Sequence, residues 1–278
     1  MGWTQTARFE KAHKPKPAPA VRRRNDHWAR LALAGISLLV FLGVWELVIR
    51  LGNYPAFILP SPSQVLTRAM TLIQDGTLWR HTRATLIEVL VGLALGLIVA
   101  SVLGYVLAKS RLAERLLSPY IVASQAIPVV ALAPLLVIWF GPGMTTKILV
   151  AALIVFFPVL INVMVGVRSV EPDLRDLMRS LEATRWQTFI KLEVPAALSV
   201  LLGGVKIGAT LSVIGAVVGE FLGTSEGLGY LINEGRGLYD TPKMFVGLFG
   251  LVTLALILYS TASWLERQAL RWRETEGA

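Results

Sequence analysis

Six stretches of this 278-residue chain each carry about twenty or more mostly apolar residues, and nothing else in the sequence restricts its fold as tightly. A hydrocarbon layer about 30 Å thick is crossed by about 20 apolar residues in a helix. Inside lipid, backbone polar groups are satisfied only within helices or closed barrels. The stretches cover 31–51, 84–108, 117–140, 148–167, 198–222 and 244–265. Their length and unbroken apolarity predict an all-α, polytopic membrane protein with about six transmembrane helices. The third stretch holds Pro119, Pro128 and Pro134, which leave open a single span or a short helix followed by a re-entrant piece. The first stretch follows 30 residues and lacks an Ala-x-Ala cleavage pattern, so it reads as a permanent helix and not as a signal peptide.

Composition agrees and excludes other classes. Only 16% of the residues are charged and 54% are apolar, against roughly 25% charged in a soluble domain. There is no cysteine, and His13, His27 and His81 are scattered, which argues against a thiolate, metal or histidine-based catalytic centre. The net charge of +9 would suggest nucleic acid in a soluble protein, but here it is unevenly placed. Nineteen of the 27 lysines and arginines fall in the N-terminal 30 residues, the second-to-third loop, the fourth-to-fifth loop and the C-terminal tail. Seven (Arg50, Arg68, Arg80, Arg83, Lys147, Arg236 and Lys243) fall on the other side, and Lys206 lies within the fifth stretch. The bias predicts both termini in the cytoplasm, and makes the basic excess an orientation signal with no nucleic-acid partner.

The chain divides accordingly. Residues 1–27 read as a basic, Pro-containing tail that binds anionic headgroups, 28–56 as the first transmembrane helix, 57–266 as the main transmembrane domain, and 267–278 as a second cytoplasmic tail. Within 57–266, a short helix is expected near 64–74, capped by Ser63.

The longest cytoplasmic loop, 168–197, carries its own pattern. Leu174, Leu177, Met178 and Leu181 recur at helical spacing and make one apolar stripe, with Arg175, Asp176, Arg179 and Glu182 towards the other side. A second short helix is expected over 186–191, ended by Pro195. Such an amphipathic pair either lies on the lipid surface or docks a cytoplasmic partner.

Within the spans, Gly92, Gly96, Ala100 and Gly104 form one row of small residues. Gly204, Gly208, Ser212 and Ala216 form a second, with Gly215, Gly219 and Gly223 beside it. Rows of this kind let helices approach closely, either as plain bundle packing or as a movable seam. Glu46 and Glu88 sit near helix ends and are expected to reach an interface. Lys206 is expected to snorkel, and Glu220 to line an outer cavity or cap a helix. Gln125, Asn162, Ser212 and Glu220 are the polar candidates for a translocation path. No chain of acids crosses the bilayer and no internal repeat is visible, which disfavours the alternative of an ion-gradient-driven secondary transporter.

Catalytic motifs are missing. Residues 141–147 contain Gly, Thr and Lys in the wrong order for a phosphate-binding loop. Gly227-Leu-Gly229 lacks the third glycine of a dinucleotide fingerprint and reads as a turn. The chain is expected to bind no cofactor and to be no enzyme.

The run Asp176-Leu-Met-Arg-Ser-Leu-Glu-Ala-Thr-Arg-Trp-Gln-Thr-Phe-Ile-Lys-Leu-Glu-Val-Pro195 resembles the EAA loop of ABC-transporter permease subunits. That pattern is Glu-Ala-Ala, three residues, Gly, nine residues, then Ile-x-Leu-Pro. Asp176, Leu177 and Met178 stand for the first three, and Leu192, Val194 and Pro195 match its close. Glu182 stands where the family has Gly, a disfavoured choice if the bend there is left-handed, and Ala183 continues as in the family. Ile58-Leu-Pro-Ser-Pro62, Ala126-Ile-Pro128, Ala133-Pro134, Trp139-Phe-Gly141 and Gly219-Glu-Phe-Leu-Gly223 look like the branch importing sulfonates, taurine, nitrate and small aromatic nutrients. Ile214-Gly-Ala-Val-Val-Gly-Glu220 and Asp240-Thr-Pro242 look most like permeases for riboflavin or the pyrimidine precursor of thiamine.

The resemblance implies a type I importer fold in a bacterial inner or plasma membrane, with the loop at 171–195 received by cytoplasmic ATP-binding subunits. It also implies an extracytoplasmic substrate-binding protein and a second permease subunit, an identical copy being the simpler arrangement. Under it, Leu174, Leu177, Met178 and Leu181 are either the docking face or a face held against the permease's own helices. Asp176 and Arg179 become polar contacts across the joint.

Overall fold

The computed structural model describes residues 26–222 and 225–271, and every regular element among them is helical. In chain order these are α1 (Asp26–Gly52), α2 (Pro62–Gln74), α3 (Thr77–Lys109), α4 (Arg111–Gln125), α5 (Val129–Phe140) and α6 (Met144–Arg168). They continue with α7 (Pro172–Ser180), α8 (Arg185–Thr188), a π-turn over Phe189–Glu193, α9 (Val194–Glu220), α10 (Leu228–Gly237) and α11 (Thr241–Ala269). Residues up to Val48 form one unit, which holds most of α1, and residues from Ile49 form a second, which holds all the other helices. The tail expected at 1–27 lies outside the described residues up to residue 25, and α1 already begins at Asp26. The C-terminal tail is outside them from residue 272, and α11 runs on to Ala269 before it.

Among the described residues, five helices are long and apolar enough to cross a bilayer alone: α1, α3, α6, α9 with the segment before it, and α11. The third predicted stretch is broken. Its two halves, α4 and α5, meet at 96°, and together they make a sixth crossing if they form one span. The break falls at Ala126-Ile127-Pro128, where the proline disfavours helical geometry in the residue before it and then begins α5. Pro119 and Pro134 are absorbed within α4 and α5.

The second unit is organised around α6. Val150, Ala151, Val155 and Leu160 are fully buried on it, between α3 on one side and α9 on the other. Both neighbours turn their small-residue rows towards it. A Cβ at Gly96 would lie 2.8 Å from the Ala152 carbonyl oxygen, and one at Gly219 would lie 2.9 Å from Lys147 Cα. Lipid provides no hydrophobic drive between helices, so this closeness is what gains packing contacts. One apolar core joins Ala100, Leu107, Val155, Val159 and Ala197, and a second joins Val89, Val213, Leu228, Leu251 and Leu254, so α9 belongs to both.

Two local expectations are corrected. The cap of α2 is Ser61 and not Ser63. Gln64 N–H donates to Ser61 Oγ (3.3 Å), Ser61 N–H donates to Gln64 Oε1 (2.8 Å), and Pro62 takes the first helical position, where its missing N–H costs nothing. Pro195 does not end a helix. It sits in the first turn of α9, because the π-turn before it absorbs one extra residue and lets the chain run on into the span.

Candidate functional site

The connector from α6 to α9 is a folded bracket. Arg168, at the end of α6, is held by Glu114 of α4 (2.6 Å). Arg175 reaches back from α7 to the Val167 carbonyl (2.8 Å), which fixes α7 against the end of α6. Asp176 and Arg179 pair with each other at 2.7 Å on an exposed face, where such a pair contributes little to stability.

The stripe predicted on α7 is real and unburied. Leu174, Leu177 and Leu181 are 41%, 54% and 67% exposed, and Met178 is half-buried. Of the two readings open at the level of sequence, the geometry leaves most of the face uncovered by the chain's own described residues.

The bend after α7 has the left-handed geometry that makes Glu182 unusual. Glu182 has φ +51°, its N–H donates to the Arg179 carbonyl (2.9 Å), and the Ala183 N–H donates to the Met178 carbonyl (3.0 Å). This is a Schellman closure with glutamate in the place glycine normally takes. Thr184 then opens α8 with a reciprocal capping box to Gln187. Within the π-turn, the Val194 N–H bonds the Phe189 carbonyl, five residues back.

A residue that the sequence reading passed over closes the bracket. Glu193 is 2% exposed and accepts from Lys109 Nζ (2.5 Å) and from the Tyr105 hydroxyl (2.9 Å), both on α3. Its signal was faint, a lone acid beside Pro195 in an apolar context.

At the far ends of the same helices lies a second buried polar cluster, which revises the expectation for Glu88 and favours one of the two given for Glu220. Glu88 does not reach an interface: it is fully buried and ion-paired with Lys147, which is itself 4% exposed and also donates to the Glu226 carbonyl (3.0 Å). Burial is possible because each charge faces its opposite. Glu220 takes the helix-capping role. It accepts from the Gly229 N–H and from the Thr85 hydroxyl, each at 2.5 Å, while Leu228 N–H donates to Thr85 Oγ1 (2.8 Å) and Gly227 N–H to His81 Nδ1 (3.0 Å). The first N–H groups of α10 are thus satisfied by side chains from α3 and α9. Gly227 has φ +123°, and a Cβ there would lie 2.1 Å from the Glu220 carboxyl carbon, so the Gly-x-Gly motif is a cradle for the protein's own carboxylate. Lys206 does not snorkel freely, since it pairs with Glu266 of α11 at 2.5 Å.

The four path candidates are not brought together. Ser212 bonds the Ala209 carbonyl (2.9 Å) and is fully buried, as is Glu220. Asn162 bonds the Pro158 carbonyl in its own helix (2.9 Å) and keeps some surface, and Gln125 is exposed at the end of α4.

Residues 92–271 match the family described as the binding-protein-dependent transport system inner membrane component. The riboflavin transport system permease protein RibX of Chloroflexus aurantiacus is 48% identical over 256 residues, covering 92% of this chain and 95% of its own length. The formylaminopyrimidine transport permease protein ThiX of Halalkalibacterium halodurans is 36% identical over 241 residues, covering 87% and 96%. Among solved structures, the inward-facing MetNI methionine ABC transporter matches with a TM-score of 0.58 at 21% identity, over 72% of this chain and 97% of that one, which concerns the fold alone. On these grounds the chain belongs to the inner-membrane permease family of binding-protein-dependent ABC importers.

Proposed function

We propose that this permease forms the membrane pathway of an ATP-driven importer for riboflavin, and that 171–195 is the segment gripped by a cytoplasmic ATP-binding subunit. Both termini then lie on the cytoplasmic side, a second copy of the chain completes the pathway, and an extracytoplasmic binding protein delivers the substrate. The observation that carries the coupling reading is the exposed apolar stripe of Leu174, Leu177 and Leu181 on a rigidly bracketed short helix. Exposed leucines in a row need a protein or lipid cover. A helix pinned at Arg175 and closed by a Schellman turn presents them in fixed geometry. The polar face of Asp176, Arg179 and Glu182 stands beside the stripe, as a docking rim does. Hydrolysis belongs to the partner, since the chain has no phosphate-binding loop.

The substrate assignment leans on the 48% identity to the riboflavin permease, and the thiamine pyrimidine precursor is the second reading because of the 36% relative. The natural absence of cysteine gives a direct test of the docking surface. A single Leu177→Cys variant, labelled at the thiol with a benzophenone maleimide and irradiated in membranes, is expected to capture the ATP-binding subunit, whereas Ile73→Cys on α2, labelled in the same way, is not. Cross-linking of Leu177→Cys to lipid alone would sink the coupling reading. Uptake into vesicles holding the full complex and its binding protein, compared for riboflavin, formylaminopyrimidine and taurine, decides the substrate. Transport of taurine alone would refute both vitamin readings.

A further inference from the structure

The coupling reading leaves open how movement of α8 reaches the rest of the bundle. The short helix, the π-turn and α9 are one continuous rod, so any displacement of α8 passes directly into α9. The third helix is different. It lies far away in sequence, and besides the apolar core it shares with α9 it meets this rod at the connector end through one polar set of side chains.

That set forms an ordered sequence of contacts. Trp186 of α8 is 68% exposed and stacks on Phe189 (5.5 Å between ring centres). Phe189 packs edge-on against Tyr105 of α3 (5.1 Å). Tyr105 donates its hydroxyl to Glu193 (2.9 Å), and Glu193 also holds Lys109, whose ammonium group lies 5.9 Å from the centre of the Tyr105 ring. Of the two charged residues in this set of contacts, Glu193 is the one that is almost wholly buried, and it sits at the last position of the π-turn. Beside it is an open groove of about 310 Å³ lined by Tyr105, Val163, Phe189, Glu193, Ala197 and Leu201. One side of the π-turn therefore faces an open groove and has room to shift, while its carboxylate stays fastened to α3. A soft backbone segment with one rigid electrostatic anchor is suited to passing on a displacement.

We infer that Glu193 is a positioning residue that ties α3 to the movement of α8, through the ammonium of Lys109 and the hydroxyl of Tyr105. The inference rests on the reading of 171–195 as the ATPase-gripped segment. When α8 is displaced, the carboxylate carries the end of α3 with it, because separating the pair would strand a buried charge. α9 and α3 then move together around α6, on which both are packed through glycine rows. Without the pair, α3 follows α9 less closely and less of the hydrolysis is converted into opening of the pathway.

The test uses the reconstituted complex with its ATP-binding subunits and binding protein, measuring substrate transported per ATP hydrolysed. Glu193→Gln and Lys109→Met are each expected to leave hydrolysis and subunit association unchanged and to lower that ratio about tenfold, within the usual range of a coupling effect. The double variant Lys109→Glu with Glu193→Lys restores the opposite charges and is expected to recover most of the loss, which a general packing defect would not. A normal ratio in the single variants would overturn the inference. So would loss of subunit association in them, or failure of the charge swap to restore transport. Leu177→Asp serves as the control for the underlying reading. If it leaves association and transport intact, the docking assignment itself fails, and if it abolishes them while the Glu193 variants stay coupled, only the present inference fails.

Discussion

Gly215 of α9 lies so close against Ala151 of α6 that a methyl group at Gly215 would sit 2.5 Å from the Ala151 α-carbon. No real Cβ tolerates that distance to a backbone atom, so the two helices would have to separate. Gly215→Ala is therefore expected to lower stability by about 1–3 kcal/mol, the usual range for overpacking. Gly203, on the same helix, has open space around it, and Gly203→Ala is expected to be neutral. Thermal unfolding of the two variants in detergent compares them directly, and an undisturbed Gly215→Ala would mean the seam is looser than drawn.

Glu182 pays for a left-handed backbone that glycine adopts freely. A left-handed L-residue costs roughly 1–2 kcal/mol, part of which glycine returns through its greater unfolded-state entropy. The side chain of Glu182 is exposed, so its removal loses little packing. Glu182→Gly is expected to stabilise the connector by about 0.5–1 kcal/mol and to leave assembly and transport intact. Protection of the Ala183 amide against hydrogen exchange is the local readout. Faster exchange in the variant would show that the glutamate side chain supports the turn.

What could be read ahead of the structure follows from which forces are written locally. Span lengths and the stripe at Leu174, Leu177, Met178 and Leu181 are periodic, so their positions emerged from spacing alone. The bend at Glu182 was legible as a conditional, because a motif that normally holds glycine specifies a backbone angle. Partnerships were not legible. Glu88 finds Lys147 across 59 positions, Glu193 finds Lys109 across 84, and Thr85 reaches Glu220 across 135. Local pattern holds no record of such distant pairs. The same blindness misplaced Pro195, since whether a proline ends a helix or enters its first turn depends on the π-turn before it.

Leu177 and Leu181 are 54% and 67% exposed, so replacing them alters the surface and not the core. Leu177→Asp and Leu181→Asp are expected to fold normally, with unfolding free energies within about 0.5 kcal/mol of the parent chain. Each is expected to reduce association with the ATP-binding subunit by at least about tenfold, as loss of a buried apolar anchor does. Pull-down of the ATP-binding subunit by the tagged permease measures the second effect, and thermal unfolding of the permease alone measures the first. Folding loss without an association defect would mean that the stripe packs within the chain.

Lys147 and Glu88 provide the sharpest energetic test, because both are almost wholly buried. Lys147→Met removes the ammonium that pairs with the fully buried Glu88 carboxylate, and breaking one side of such a pair costs about 3–5 kcal/mol. The loss should fall mostly on the penalty of the stranded charge and not on the missing attraction. The double variant Lys147→Met with Glu88→Leu is therefore expected to regain most of that stability, since replacing both charges by apolar side chains is often neutral or favourable. Lys147 also donates to the Glu226 carbonyl, so a small residual defect should remain at the start of α10 in both variants. Unfolding of the single and double variants in the same detergent distinguishes the cases. Equal destabilisation of the two would show that the pair is held for the loop ending at Gly227 and not for its own neutrality.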